Sequence, residues 1–231
     1  MAALSPSNLR IKACPAPPAR QRAHGLFACA HCWLLAIWIA GGLGIGSALV
    51  LTTSPENVSH YNLSSLGADG RAAPVFNGTL VAIGAGFFIL AWLTYQALRE
   101  LQRHGRLGTW RAYSLALPLA LVGLALIGAA AFHLDGPQGA TIHILSSAAG
   151  LATILFLMLT PLGLLGALFG WLSRAAGAAV SALFALSSEH LLAGTAMEIA
   201  VLLLISAWLF CLQLRLRAVA GQSESSAKSA S

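Results

Sequence analysis

The sequence predicts an all-α protein, a polytopic transmembrane helical bundle of six spans with both termini cytoplasmic. Three observations carry this. Hydrophobic residues make up 58% of the 231 positions and charged residues only 9%, against roughly 25% charged in a soluble domain. The apolar residues fall in six long runs, each long enough to cross a hydrocarbon layer. The 13 Lys and Arg residues sit in short clusters between those runs, where they orient helices in a bilayer. The composition excludes a disordered chain, and the clustering of the net charge of +6 excludes a nucleic-acid-binding one.

Residues 1–26 are polar and Pro-rich, with Arg10, Lys12, Arg20 and Arg22 and no acid before Glu56. An organellar transit peptide has a similar composition. No small-residue cleavage site precedes the apolar run that follows, so the segment is expected to be a disordered cytoplasmic tail. The run at 27–51 is longer than a signal-peptide core and is expected to be a retained span. The other spans of the membrane domain, 27–217, are expected at about 75–98, 112–134, 142–165, 172–188 and 195–214. The fifth is the shortest, Ala-rich and bounded by Arg174 and Glu189-His190. It is retained because without it Arg215 and Arg217 would lie outside; with it, 12 of the 13 basic residues lie inside and only Arg71 outside. The tail 218–231 is Ser/Ala-rich and expected to be disordered.

Within the spans, Pro118 and Pro161 are expected to kink their helices. Gly42 and Gly46, and Gly166 and Gly170, are small residues one helical turn apart, as at close helix contacts within a chain or at a homodimer interface. The four cysteines, Cys14, Cys29, Cys32 and Cys211, all fall outside the extracytoplasmic segments, so no disulfide framework is expected. Cys29-Ala-His-Cys32 has a C-x-x-C spacing but no second pair; apolar filling of a helix is the plainer reading. Asn57, Asn62 and Asn77 open glycosylation sequons, which matter only in a glycosylating pathway.

Polar residues able to carry chemistry collect at the outward end. His133 and His143 lie five residues either side of Gln138, across a Gly136-Pro137 turn, with Asp135 beside them. Two imidazoles and a carboxylate suit a borderline metal such as zinc, so His133, Asp135 and His143 are metal candidates, against the alternative that they cap helix ends. Ser146, one turn from His143, completes a Ser/His/Asp set for a hydrolase acting on a lipid, or is an ordinary serine at a helix contact. Glu198 lies near the start of the sixth span and is expected to face the bundle or a wet cavity. His60, Asp69 and Asn77, in and beside the long loop at 52–74, complete the candidate ligand-binding set. No motif specifies a cofactor.

That loop reads Ser59-His60-Tyr61-Asn62-Leu63-Ser64-Ser65-Leu66-Gly67-Ala68-Asp69-Gly70, then Pro74-Val75-Phe76-Asn77. It resembles the signature of the bacterial six-span membrane family known as domain of unknown function 998: a polar aromatic stretch, a Ser-x-Leu-Gly turn and a Phe-Asn opening the next helix. Asp135 and His143 match an Asp closing the third span and a His opening the fourth, although Phe132-His133-Leu134-Asp135 stands where that family tends to have Phe-Pro-x-Asp. The Frag/DRAM/Sfk membrane proteins are more distantly similar in the same loop. The resemblance covers about residues 30–217. It implies a six-span topology and no defined activity. The expected role is that of a non-enzymatic, lipid-interacting or accessory protein of the plasma (inner) membrane. Its expected partners are membrane lipids, with a membrane-protein partner or a second copy as further occupants. The alternative is a metal-dependent or serine hydrolase acting at the outer leaflet.

Overall fold

A computed structural model describes residues 19–52, 63–68, 70–103, 109–132, 137–160, 166–188 and 194–221. Six helices account for nearly all of them: α1 (Ala19–Leu51), α2 (Ala73–Gln102), α3 (Thr109–Ala131), α4 (Pro137–Leu159), α5 (Ala167–Ser188) and α6 (Gly194–Gly221), with a short 3-10 turn at Leu63–Gly67 before α2. No strand occurs among the described residues. Five of the helices are long and apolar enough to cross a membrane, the mark of a multi-pass membrane protein; the described apolar stretch of α5, Ala167–Leu183, is shorter.

Local chemistry sets the helix ends. Pro74 lies in the first turn of α2 and Arg99 in its last, where a missing N–H and a positive charge respectively suit the helix. Pro137 opens α4. That helix stops at Leu159, ahead of Pro161, whose ring disfavours a helical residue before it. Gly166 has φ of +87°, a conformation side chains rarely adopt, and α5 begins immediately after it. The fifth helix thus starts earlier than the charge pattern around Arg174 suggests. α1 has 33 residues, about 50 Å at 1.5 Å per residue, so it begins well before the apolar run at Phe27.

Each helix packs on its sequence neighbours, and α6 returns to α1, closing the bundle. One apolar cluster fills it, including Leu34 of α1, Leu90 and Leu98 of α2, Leu119 of α3, Leu157 and Met158 of α4 and Leu209, Leu212 and Leu216 of α6. Small residues bring α1, α2 and α3 together. The Thr79 side chain occupies the space a Cβ on Gly44 would need, and the Trp33 indole N–H donates to the Gly86 carbonyl at 2.9 Å. Gly42 and Gly46 play no such part: a Cβ on either meets nothing within 4 Å. The helix contacts use Gly41 and Gly44 instead, which lie on a different face of the same turns.

Candidate functional site at the loop end

The C-terminus of α1, the 3-10 turn and the N-termini of α2 and α6 meet at one end of the bundle, called here the loop end. The turn is held there by its own apolar residues. Leu63 and Leu66 are buried in a small cluster with Ala48 of α1 and Ala72 and Phe76 of α2. The Asn77 amide donates to the Gly67 carbonyl at 3.1 Å. A side chain at Gly67 would crowd Asn77, at 3.0 Å from its Oδ1, so glycine permits this close approach.

Glu198 fastens the turn to α6. Its carboxylate, one turn into that helix, accepts the backbone N–H groups of Leu63 and Ser64. The first N–H groups of any helical turn lack partners within it, and an anionic acceptor satisfies them more strongly than a neutral one. A carboxyl group otherwise costly in apolar surroundings thereby holds the 3-10 turn against α6.

The hairpin residues contribute differently. His143 is buried between α3 and α4, and its Nδ1 lies 2.7 Å from the Ala129 carbonyl, to which a protonated Nδ1 donates. Ala129 belongs to the last turn of α3, where carbonyls have no helical partner. Ser146 packs against Gly128: a Cβ built there would come 2.8 Å from its Oγ. His143 and Ser146, two members of the hydrolase set, are therefore engaged in joining α3 to α4. His60, Asp69, His133 and Asp135 lie outside the described residues, and among the described residues no three His, Cys, Asp or Glu side chains are grouped to hold a metal ion. Cys29, Cys32 and Cys211 are free and exposed.

A second set of polar contacts, unforeseen from sequence, surrounds the other half of α6. Gln213, fully buried, donates from its amide to the Thr94 hydroxyl on α2 at 3.3 Å. The Trp208 indole N–H donates to the Ser173 hydroxyl on α5 at 2.9 Å, and Ser173 donates to the Met158 carbonyl on α4 at 2.6 Å. That carbonyl is in the turn that Pro161 cuts short, so the relay supplies a donor the helix lacks. The Phe210 ring sits 4.3 Å from that of His31 on α1. Beyond these, at the end opposite the loop, the Arg217 Nε–H donates to His24 at 3.3 Å and Arg22 and Arg103 pair with Glu100. The signal that could have found this set is the presence of Gln213, Ser173 and Thr94 inside apolar runs, since polar side chains at membrane depth face protein partners.

The described residues define an all-helical multi-pass membrane protein whose 3-10 turn is fastened to α2 and α6. Compared with known proteins, the chain matches no family model, no curated protein and no solved structure.

Proposed function

We propose that this is a non-enzymatic accessory protein of the plasma (inner) membrane that binds a lipid headgroup at its loop end, which faces outward. The observation that carries the reading is the clamp of Glu198 on Leu63 and Ser64. It fixes the 3-10 turn against α6, with the Asn77 amide bonded to the same turn, as a recognition surface of preset shape requires. The engagement of His143 and Ser146 in helix packing weighs against the hydrolase alternative.

All six helices cross the bilayer in this reading, with both termini cytoplasmic. α5, with 22 residues, is about 33 Å long and matches a hydrocarbon layer of roughly 30 Å. Its crossing keeps Arg215 and Arg217 on the side of Arg22, Arg99 and Arg103. The similarity to the six-span family with the Ser-x-Leu-Gly turn supports the same topology.

Two experiments test this. A membrane-impermeant thiol reagent applied from outside should modify a cysteine placed at Ser65 and spare one placed at Thr109; the reverse pattern overturns the orientation. Lipid mass spectrometry and metal analysis on one detergent-purified sample test the role. A phospholipid retained above its bulk abundance, and lost in Glu198→Leu, supports headgroup binding. Stoichiometric metal without retained lipid transfers the case to the hydrolase.

A further inference from the structure

Independently of the loop end, a row of side chains at the opposite end of the bundle is arranged to meet a phosphate. Trp92, Tyr95, Arg99 and Arg103 follow one another at spacings of three or four residues, so they share one face of α2. Along that face the chemistry changes in order, from the exposed indole of Trp92, through the Tyr95 phenol, to the exposed guanidinium of Arg99. Tyr113 joins the row from α3, its ring centroid 5.4 Å from that of Tyr95 and its hydroxyl oxygen 3.3 Å from the other hydroxyl. Both hydroxyls lie at the surface of the bundle.

Two phenols carry two protons, and a contact between their hydroxyls uses one of them. The second proton has no acceptor among the described residues. At 3.3 Å the two oxygens also stand wider than the roughly 2.7–2.8 Å of a good O–H···O bond, so a single acceptor can meet both. Arg99 lies one turn beyond Tyr95, about 6 Å along the helix axis, and is near enough for its charge to act on Tyr113. It has no carboxylate partner among the described residues, since Glu100, next to it in sequence, is held by Arg22 and Arg103.

An arginine beside a pair of phenolic donors suits an oxyanion. The position of the row selects the source of that anion. Tyr and Trp gather where hydrocarbon meets headgroups, and Trp92 lies on the hydrocarbon side of the two phenols, toward the apolar middle of α2. The surrounding charge selects the headgroup. Arg22, Arg99, Arg103, Arg215 and Arg217 stand at this end with Glu100 as their one carboxylate among the described residues, a field that attracts an anionic headgroup and repels an ammonium one. We propose that Tyr95, Arg99 and Tyr113 form a binding site for an anionic phospholipid, with its phosphodiester on Arg99 and the two phenols and its acyl chains along Trp92.

The test is native mass spectrometry of the full chain in detergent, titrated separately with dioleoyl phosphatidylglycerol and dioleoyl phosphatidylcholine. The wild type should hold phosphatidylglycerol about tenfold more tightly. Arg99→Gln should weaken that binding about tenfold, the loss of one charge-assisted hydrogen bond. Arg215→Gln, an exposed arginine on α6, should leave it within about twofold, because that charge acts only through a screened field. Tyr95→Phe and Tyr113→Phe each leave one proton for the phosphate and should weaken binding by no more than about threefold, whereas the double variant removes both protons and should weaken it about tenfold. Equal affinity for the two lipids, or a loss in Arg215→Gln as large as in Arg99→Gln, reduces the row to general charge attraction and overturns the proposal. Displacement of the lipid by an equal concentration of glycerol 3-phosphate overturns it as well, by making the ligand a soluble phosphate.

Discussion

Gly84 on α2 and Gly123 on α3 pack backbone against backbone. A Cβ on Gly84 would lie 2.7 Å from the Gly123 carbonyl oxygen, and one on Gly123 would lie 2.6 Å from that of Gly84. Neither backbone can yield without moving a whole helix. Gly84→Ala and Gly123→Ala should each destabilise the protein by about 1–3 kcal/mol through overpacking. Gly42→Ala and Gly46→Ala, with nothing within 4 Å, should be neutral or gain up to about 1 kcal/mol from helix propensity. Unfolding in detergent measures all four, and a reversed ranking would place the α2–α3 contact elsewhere.

The Trp208–Ser173–Met158 relay predicts non-additive losses. Ser173→Ala removes both bonds, so adding Trp208→Phe to it should cost little more. A double-mutant cycle should give a coupling of about 0.5–1.5 kcal/mol, the range of interhelical hydrogen bonds in membranes. Additive losses would mean that the two bonds are energetically separate.

Glu198 should govern how firmly the 3-10 turn is held. Hydrogen bonds to charged groups contribute about 1.5–3 kcal/mol. Amide exchange at Leu63 and Ser64 should therefore quicken about tenfold or more in Glu198→Leu, and less in Glu198→Gln, which keeps one acceptor oxygen. Exchange at Leu90, deep in the core, should not change. Unaltered exchange at the turn would remove Glu198 as its fastener.

His143→Ala should cost about 1–3 kcal/mol, since it strands the Ala129 carbonyl as well as emptying a buried site. His143→Asn should recover part of the loss if its amide reaches that carbonyl. Equal losses in both variants would assign the cost to packing alone.

Much of this architecture was legible because helix number in a membrane follows from apolar run length, and all six runs became helices. Rotation of each helix was not legible. α1 is apolar on every side between Trp33 and Leu51, so nothing in the pattern says that Gly41 and Gly44, rather than Gly42 and Gly46, face α2. The same blindness hid His143, placed by its position at a helix start near the boundary and found turned inward to Ala129. Glu198 was legible as an inward-facing carboxylate, because a charge near the start of an apolar run has few places to go. Its partners were not, because backbone N–H groups leave no trace in residue type. The start of α5 depends on one positive φ at Gly166, which a sequence rich in glycine does not single out.

The contacts of α6 also impose an order in time. It is the last of the six helices to leave the ribosome, yet it supplies the partners of His24 on the first, Thr94 on the second and Ser173 on the fifth. Until it arrives, His24, the Thr94 hydroxyl and the acceptor side of the Ser173 hydroxyl, whose proton goes to Met158, lack these partners in a nascent chain stalled before Gly194. Synthesis of the final helix is therefore the event that completes the inside of the protein, and a membrane protease that grips loosely packed helices would have its opportunity before that moment.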